Sequence, residues 1–159
     1  MEDDSNDADI EVKASAWRIY ASIVVCVLGL ADATYLTLTH YTNVVPLVCS
    51  STGIVNCAQV TSSPQSYVFG IPVALLGIVY FIPMLILSLP FAWRSKNHIF
   101  AWLRLTGAVT GIGFVAYLVY SELFVIKKIC LYCTGVHLLT FILFVIVVTG
   151  WEAATAFWD

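Results

Sequence analysis

Long apolar segments alternate with short polar ones along this chain. Each apolar segment is close to the length of about 20 residues that crosses a bilayer as an α-helix. The four segments cover residues 17–39, 70–90, 99–120 and 129–150. The pattern predicts an all-α membrane protein, a four-transmembrane-helix bundle with a long loop between helices 1 and 2.

The composition agrees with this class of protein. Of the 159 residues, 60% are hydrophobic and 11% are charged, whereas about a quarter are charged in soluble domains. Residues 1–16 hold most of the acidic side chains, and we expect them to form a disordered tail because they bury too little apolar surface. Residues 152–159 form a second tail. The chain has no basic patch, so we expect contact with membrane lipid and with no nucleic acid.

The order of the spans decides which loops share a membrane face. With four spans, the first loop, with Cys49 and Cys57, and the third loop, with Cys130 and Cys133, lie on the same side. Of the seven Lys and Arg residues, five fall on the side of the termini and two on the cysteine side. This excess of positive charge predicts cytoplasmic termini and an extracytoplasmic site in the cell membrane, where disulfides persist.

Cys130 and Cys133 form a Cys-x-x-Cys pair where the last apolar segment begins. Two residues three positions apart lie on one face of a helix, and both the helix N-terminus and two preceding lysines favour a thiolate. This spacing is common in redox centres. Together with Cys49-x7-Cys57 it indicates a relay of two dithiols, and a lipid-soluble acceptor such as a quinone suits a redox pair at the top of apolar helices.

Other roles stay open for several residues. His137 lies one turn beyond Cys133, so a non-catalytic membrane metal-binding protein that uses Cys130, Cys133 and His137 is a second interpretation. Purely structural disulfides are a third. Asp32, near the far end of the first span, is either structural or functional. Cys26, deep in the same span, is expected to be a small buried apolar residue.

Taken together, the motifs resemble the vitamin K epoxide reductase family. The motifs are Cys49-x7-Cys57, Ser63, Phe69-Gly70-Ile71-Pro72 before the second span, Cys130-Leu131-Tyr132-Cys133, and Tyr35-Leu36-Thr37 with His40 as in microbial members. The resemblance covers roughly residues 17–150. It implies a four-helix bundle around a bound quinone, with a lid loop that carries the outer cysteine pair.

The resemblance also implies a role for each site residue. Cys49 exchanges with a thioredoxin-fold thiol oxidoreductase, Cys57 passes electrons to Cys130, and Cys133 faces a menaquinone, ubiquinone or vitamin K type quinone. The residues expected at the quinone are Ser63, Ser66, Phe69 and His137. Many microbial members carry a fused thioredoxin-like domain, and since this chain ends at Asp159 we expect a separate partner.

The implied function is a quinone-dependent membrane thiol oxidoreductase that drives disulfide formation. The alternative is a vitamin K epoxide or quinone reductase in an endoplasmic reticulum membrane. Ser66 and His137 stand where animal members have Asn and Tyr at the quinone, which disfavours an epoxide specialist. No metal is expected in the redox interpretation.

Overall fold

The structure, a computed structural model, describes residues 2–42, 48–49, 53–95 and 97–155, with side chains described between Ala16 and Trp151. The helices are α1 (Glu2–Tyr41), α2 (Cys57–Thr61), α3 (Val73–Ser88), α4 (Pro90–Arg94), α5 (His98–Tyr120) and α6 (Leu131–Thr155). The remaining elements are a 3-10 helix (Pro64–Ser66), a π-helical turn (Ser121–Ile126), and the antiparallel strands β1 (Tyr67–Val68) and β2 (Ile71–Pro72).

Within these ranges, three helical segments are long and apolar enough to cross a membrane. They are Ala16–Tyr41, His98–Ile126 and Leu131–Trp151. The apolar helix α3 has 16 residues, which gives a length of about 24 Å against a hydrocarbon core of about 30 Å. The chain is therefore a mostly helical membrane protein, and α3 lies where the second span was predicted.

The bundle core draws on all four long helices. Its fully buried side chains include Cys26 from α1, Phe81 from α3, Ala108 from α5 and Leu143 from α6. Lipid tails are as apolar as these side chains, so close packing, not the exclusion of water, must hold membrane helices together.

Glycines provide that close packing. An added Cβ at Gly29 would overlap the ring of Phe81, so α1 and α3 touch at this position. A Cβ at Gly107 would lie 2.7 Å from the sulfur of Met84, and one at Gly111 would overlap Tyr80. Gly107 and Gly111, four residues apart on α5, therefore let α3 approach α5.

Three helices extend beyond the spans predicted for them. α1 begins at Glu2, so residues 2–16 are helical where disorder was expected. The π-helical turn extends α5 to Ile126, and α6 runs to Thr155 through part of the second predicted tail. Nucleation is the costly step in forming a helix, so a helix fixed within a span extends at small cost into flanking residues of adequate propensity. Residues 156–159 lie outside the described part.

We expect Gly29→Ala to destabilise the bundle by about 1–3 kcal/mol, because the buried Phe81 ring has to move to admit a methyl group. Gly113→Ala is the matched control, since nothing lies within 4 Å of its added Cβ. Thermal unfolding in detergent should show a lowered midpoint for the first variant only. Equal midpoints would contradict the close approach at Gly29.

Cys26 is fully buried in the bundle core, with its Sγ 3.7 Å from Ser88 Oγ. It belongs to a different apolar cluster from the other cysteines. Under the interpretation of the sequence as a thiol oxidoreductase, we therefore expect Cys26→Ala to keep activity near the wild-type rate in an assay with a reduced thiol partner. An inactive but folded variant would show that α1 takes part in the chemistry through this thiol.

Candidate active site

The other four cysteines lie together where the loop after α1 meets the start of α6. Cys49 and Cys57 form a disulfide with an S–S distance of 2.00 Å, while Cys130 and Cys133 are free thiols. Cys57 and Cys130 are both buried, with 1% and 0% of their surfaces exposed, and they share one apolar cluster with Val60. Cys49 and Cys133 pack against that cluster. The structure thus brings the two predicted pairs together.

Backbone hydrogen bonds hold the residues before Cys57 beside the residue before Cys130. The Asn56 N–H donates to the Ile129 carbonyl at 3.1 Å, and the Ile129 N–H donates to the Ile54 carbonyl at 3.0 Å. These bonds form an isolated parallel bridge. Cys57 directly follows Asn56, and Cys130 directly follows Ile129. This register therefore places Cys57 next to Cys130.

Asn56 also starts the short helix that carries Cys57. Its side-chain oxygen accepts a hydrogen bond from the Gln59 N–H at 3.0 Å, which caps the N-terminus of α2. Cys57 is the first residue of that helix and Val60 lies one turn on, so both face the buried side. One asparagine therefore links the backbone bridge to the helix that orients Cys57.

Two side chains of the α6 region hold the loop from outside. Lys128 Nζ donates to the Gly53 carbonyl at 2.8 Å, and Tyr132 Oη donates to the Val48 carbonyl at 3.0 Å. The Val48 N–H donates in turn to Tyr35 Oη at 3.3 Å, and the rings of Tyr35 and Tyr132 lie 5.0 Å apart. The residue before Cys49 is therefore fixed from both α1 and α6.

The contact of Lys128 differs from the role that the sequence suggested for it. The two lysines before Cys130 were expected to stabilise a thiolate. Instead, the Lys128 ammonium bonds a loop carbonyl, and Lys127 ends the π-helical turn with a φ of 55°. Holding the loop in place is thus the task that the geometry gives to Lys128.

The dithiol is polarised by its own hydrogen bonds. A hydrogen bond from the Cys133 side chain lowers the pKa of Cys130, although burial and the nearby Glu122 carboxylate oppose this effect. The Cys133 backbone N–H also donates to Cys130 Sγ at 3.4 Å, as expected for a thiolate at the start of α6. Cys130 is therefore the thiol of the pair that ionises more readily than an ordinary cysteine.

A cavity lies beside the dithiol, between the loop and the helices. The space between them, counted out to its open mouth, is about 730 Å³. Its walls are mostly apolar, and Cys133 reaches it. The other polar side chains that line it are His40, Thr61, Ser63, Gln65, Ser66, Ser121, Glu122 and His137. The lid expected from the loop is formed here by α2 and the 3-10 helix.

Three of the four residues expected at a quinone line this cavity. They are Ser63, Ser66 and His137. Ser63 Oγ donates to the Val60 carbonyl at 2.8 Å, and Ser66 Oγ donates to the Thr61 and Ser63 carbonyls at 2.8 and 2.6 Å. Both hydroxyl protons thus bond backbone carbonyls within the lid. The lone pairs of the two hydroxyl oxygens are left toward the cavity.

Phe69, the fourth residue expected at a quinone, lies outside the cavity, contrary to that expectation. It occupies the turn between β1 and β2 with a φ of 53°, and its side chain is fully exposed. The sequence placed it beside the second span but carried no information on the direction of its side chain. The hairpin turn points it away from the cavity.

Asp32 lies at the contact between α1 and α6. Its Oδ2 is 3.0 Å from the point that a Cβ on Gly135 would occupy, so this glycine makes room for the carboxylate. Thr34, one possible partner of Asp32, instead donates its hydroxyl to the Leu30 carbonyl at 2.6 Å. The carboxylate therefore lies against Gly135 of α6, two residues after Cys133.

The metal-binding interpretation gains no support from the geometry. Across the described ranges, no group of three or more His, Cys, Asp and Glu side chains is arranged to hold a metal ion. Cys130, Cys133 and His137 share one side of the α6 region without forming such a group.

Glu122 is a site residue that the sequence reasoning missed. Its side chain is 6% exposed and lines the cavity together with Cys133. The signal was present, since Glu122 is the only acidic residue between Asp32 and Glu152. It is easily overlooked because it lies between the predicted spans 99–120 and 129–150.

Apolar spans that enclose a cavity headed by a disulfide and a dithiol are typical of a membrane oxidoreductase. The model of the vitamin K epoxide reductase family matches residues 20–148, so the chain belongs to that family. The match runs from α1 into α6 and therefore includes both cysteine pairs and the cavity. It confirms the resemblance drawn from the motifs, and family membership supports an oxidoreductase activity.

Changing Lys128 to Met should loosen the loop, because the bond from Nζ to the Gly53 carbonyl is lost. We expect backbone amides of residues 54–57 to exchange with deuterium about fivefold faster, which corresponds to about 1 kcal/mol for one hydrogen bond. Lys127→Met removes the same charge and is the matched control. If both variants behave alike, charge and not the Gly53 contact explains the effect.

Proposed function

We propose that this protein is a thiol–quinone oxidoreductase that drives disulfide formation in partner proteins outside the cytoplasm. The observation that carries the proposal is the position of the Cys49–Cys57 disulfide directly against the Cys130–Cys133 dithiol, beside an apolar cavity. Membership of the vitamin K epoxide reductase family supports redox chemistry at these sulfurs.

In this proposal α3 is the second of four spans. Its residues Phe81 and Met84 lie in the same core as the three longer helices, and Leu89 to Arg94 add further length at its end. Four crossings place both termini on one side. The five-to-two distribution of basic residues then favours cytoplasmic termini in the cell membrane, with the cysteines outside.

The first half of the reaction is thiol exchange. A thiolate of a reduced thioredoxin-fold partner attacks Cys49, which forms a mixed disulfide and releases Cys57 as a thiolate. Cys57 attacks Cys130 of an oxidised Cys130–Cys133 pair, and Cys133 leaves with the electron pair. The partner's second thiol then resolves the mixed disulfide and frees Cys49.

The second step of exchange restores the outer disulfide. Cys49 attacks Cys57 of the Cys57–Cys130 bond, and Cys130 leaves as a thiolate, which its lowered pKa favours. The partner is then oxidised and the inner pair carries two electrons. The structure has this arrangement of sulfurs, with an outer disulfide and an inner dithiol.

The cavity suits a quinone as the final acceptor. Its apolar walls match a flat ring, while the His137 ring and the Gln65 amide offer nitrogen donors for carbonyl oxygens. Ser63 and Ser66 would instead orient the lid, since their protons already bond backbone carbonyls. A bound quinone supplies an acceptor for two electrons and two protons that exchanges with the bilayer.

We expect Cys133→Ala to abolish quinone reduction, because the variant has no second sulfur to form the inner disulfide. Cys57 and Cys130 should then accumulate as a disulfide that mass spectrometry detects after mild oxidation. The assay uses purified protein in nanodiscs, a reduced thioredoxin-fold protein and a soluble quinone analogue, with Cys26→Ala as the control. Failure to find the Cys57–Cys130 bond would count against the relay.

A further inference from the structure

Oxidation of the inner dithiol has to dispose of two protons as well as two electrons. Cys130 ionises readily, and its sulfur accepts a hydrogen bond from the Cys133 side chain. A second thiolate beside the first in a buried site is strongly disfavoured, since like charges repel where the dielectric constant is low. Cys133 must therefore pass its proton to a neighbouring group as its sulfur is oxidised.

Glu122 lies in the same cavity as this thiol. Its side chain is 6% exposed, and it lines the cavity together with Cys133. Its own carbonyl accepts bonds from the N–H groups of Lys127 and Lys128, the second at 3.2 Å. It lies in the π-helical turn, a feature that is frequent at functional sites.

We propose that Glu122 is the proton acceptor for Cys133 and returns that proton into the cavity. This inference rests on the proposed function and adds to it a catalytic residue. The S–H bond of Cys133 breaks and its proton moves to a carboxylate oxygen of Glu122, while a bond forms between the sulfurs of Cys133 and Cys130. Two electrons leave to the quinone of the proposed function.

The protons balance in the same step. Glu122 returns the Cys133 proton to a reduced oxygen in the cavity, and the proton that Cys130 released on ionising is replaced from water at the cavity mouth. Glu122 is therefore ionised again at the end. It lines the same cavity as Cys133, so the proton crosses no further residue on the way.

Two other ionisable side chains lie near the dithiol but are placed less well. Asp32 acts on Cys133 through its charge, while its carboxylate lies against Gly135. His137 lines the cavity one turn further along α6. Of the two acids, Glu122 is the one that lines the cavity beside Cys133.

Glu122 has a structural task as well, since its backbone carbonyl accepts the hydrogen bonds that close the turn before α6 and its side chain is buried there. Glu122→Gln separates the two tasks. Glutamine keeps the size of the side chain, but it does not take up a proton. Glu122→Asp keeps a carboxylate on a shorter side chain and serves as the second variant, which also decides the matter if the glutamine variant does not fold.

The experiment measures each half of the reaction separately in nanodiscs. Prereduced protein is mixed with a soluble naphthoquinone, and the loss of the Cys130 and Cys133 thiols is followed by quenching with a maleimide. We expect Glu122→Gln to slow this loss about 100-fold, the scale of general base catalysis, and Glu122→Asp to recover part of the rate. In the Cys133→Ala background, Glu122→Gln should leave formation of the Cys57–Cys130 bond unchanged.

A readout independent of turnover is the infrared S–H stretching band of Cys133, identified by its loss in Cys133→Ala. Glu122→Gln should shift it to the position of a weaker hydrogen bond. An unshifted band, thiol loss at the wild-type rate, or equal slowing of both halves would overturn the role of Glu122 alone. Wild-type protein that passes no electrons to any quinone would overturn the proposed function itself.

Discussion

The chemistry of this protein depends on a very short piece of backbone pairing. Two hydrogen bonds between residues 54–56 and Ile129 place Cys57 against Cys130, and both sulfurs are buried by that contact. Each such bond contributes only about 1 kcal/mol, so the bridge fixes the register without making the loop rigid. In the proposed relay, a loop that presents Cys49 to an outside protein and Cys57 to an inner sulfur benefits from this balance.

The packing of the bundle explains why a closely packed membrane protein still contains a cavity. Glycines at positions 29 and 107 bring the helices together toward the middle of the bundle. At the end of the bundle that carries the loop, the lid residues Val60 and Ser63 take the place of a further layer of helix contacts. The space between the lid and the helices is thus bounded by separate segments of the chain, and it opens beside Cys133.

The sequence predicted the parts of this site that depend on composition and spacing. The apolar segments, the two cysteine pairs and the place of His137 on the last helix, one turn from Cys133, all followed from hydropathy, parity and helical period. The direction of Phe69, the loop contact of Lys128 and the burial of Glu122 did not follow. Each of these depends on a partner distant in sequence or on a turn conformation, and the local pattern is silent on both.

The inner pair is made unequal by its surroundings, and this inequality gives its sulfurs different tasks. Cys130 stands just before the first residue of α6, accepts hydrogen bonds and faces Cys57, so it is suited to leave or attack as a thiolate. Cys133 lies inside the helix, keeps its proton as a donor and faces both the cavity and Glu122. In the proposed reaction, two identical side chains three residues apart thereby divide the work, one toward sulfur exchange and one toward proton-coupled delivery of electrons.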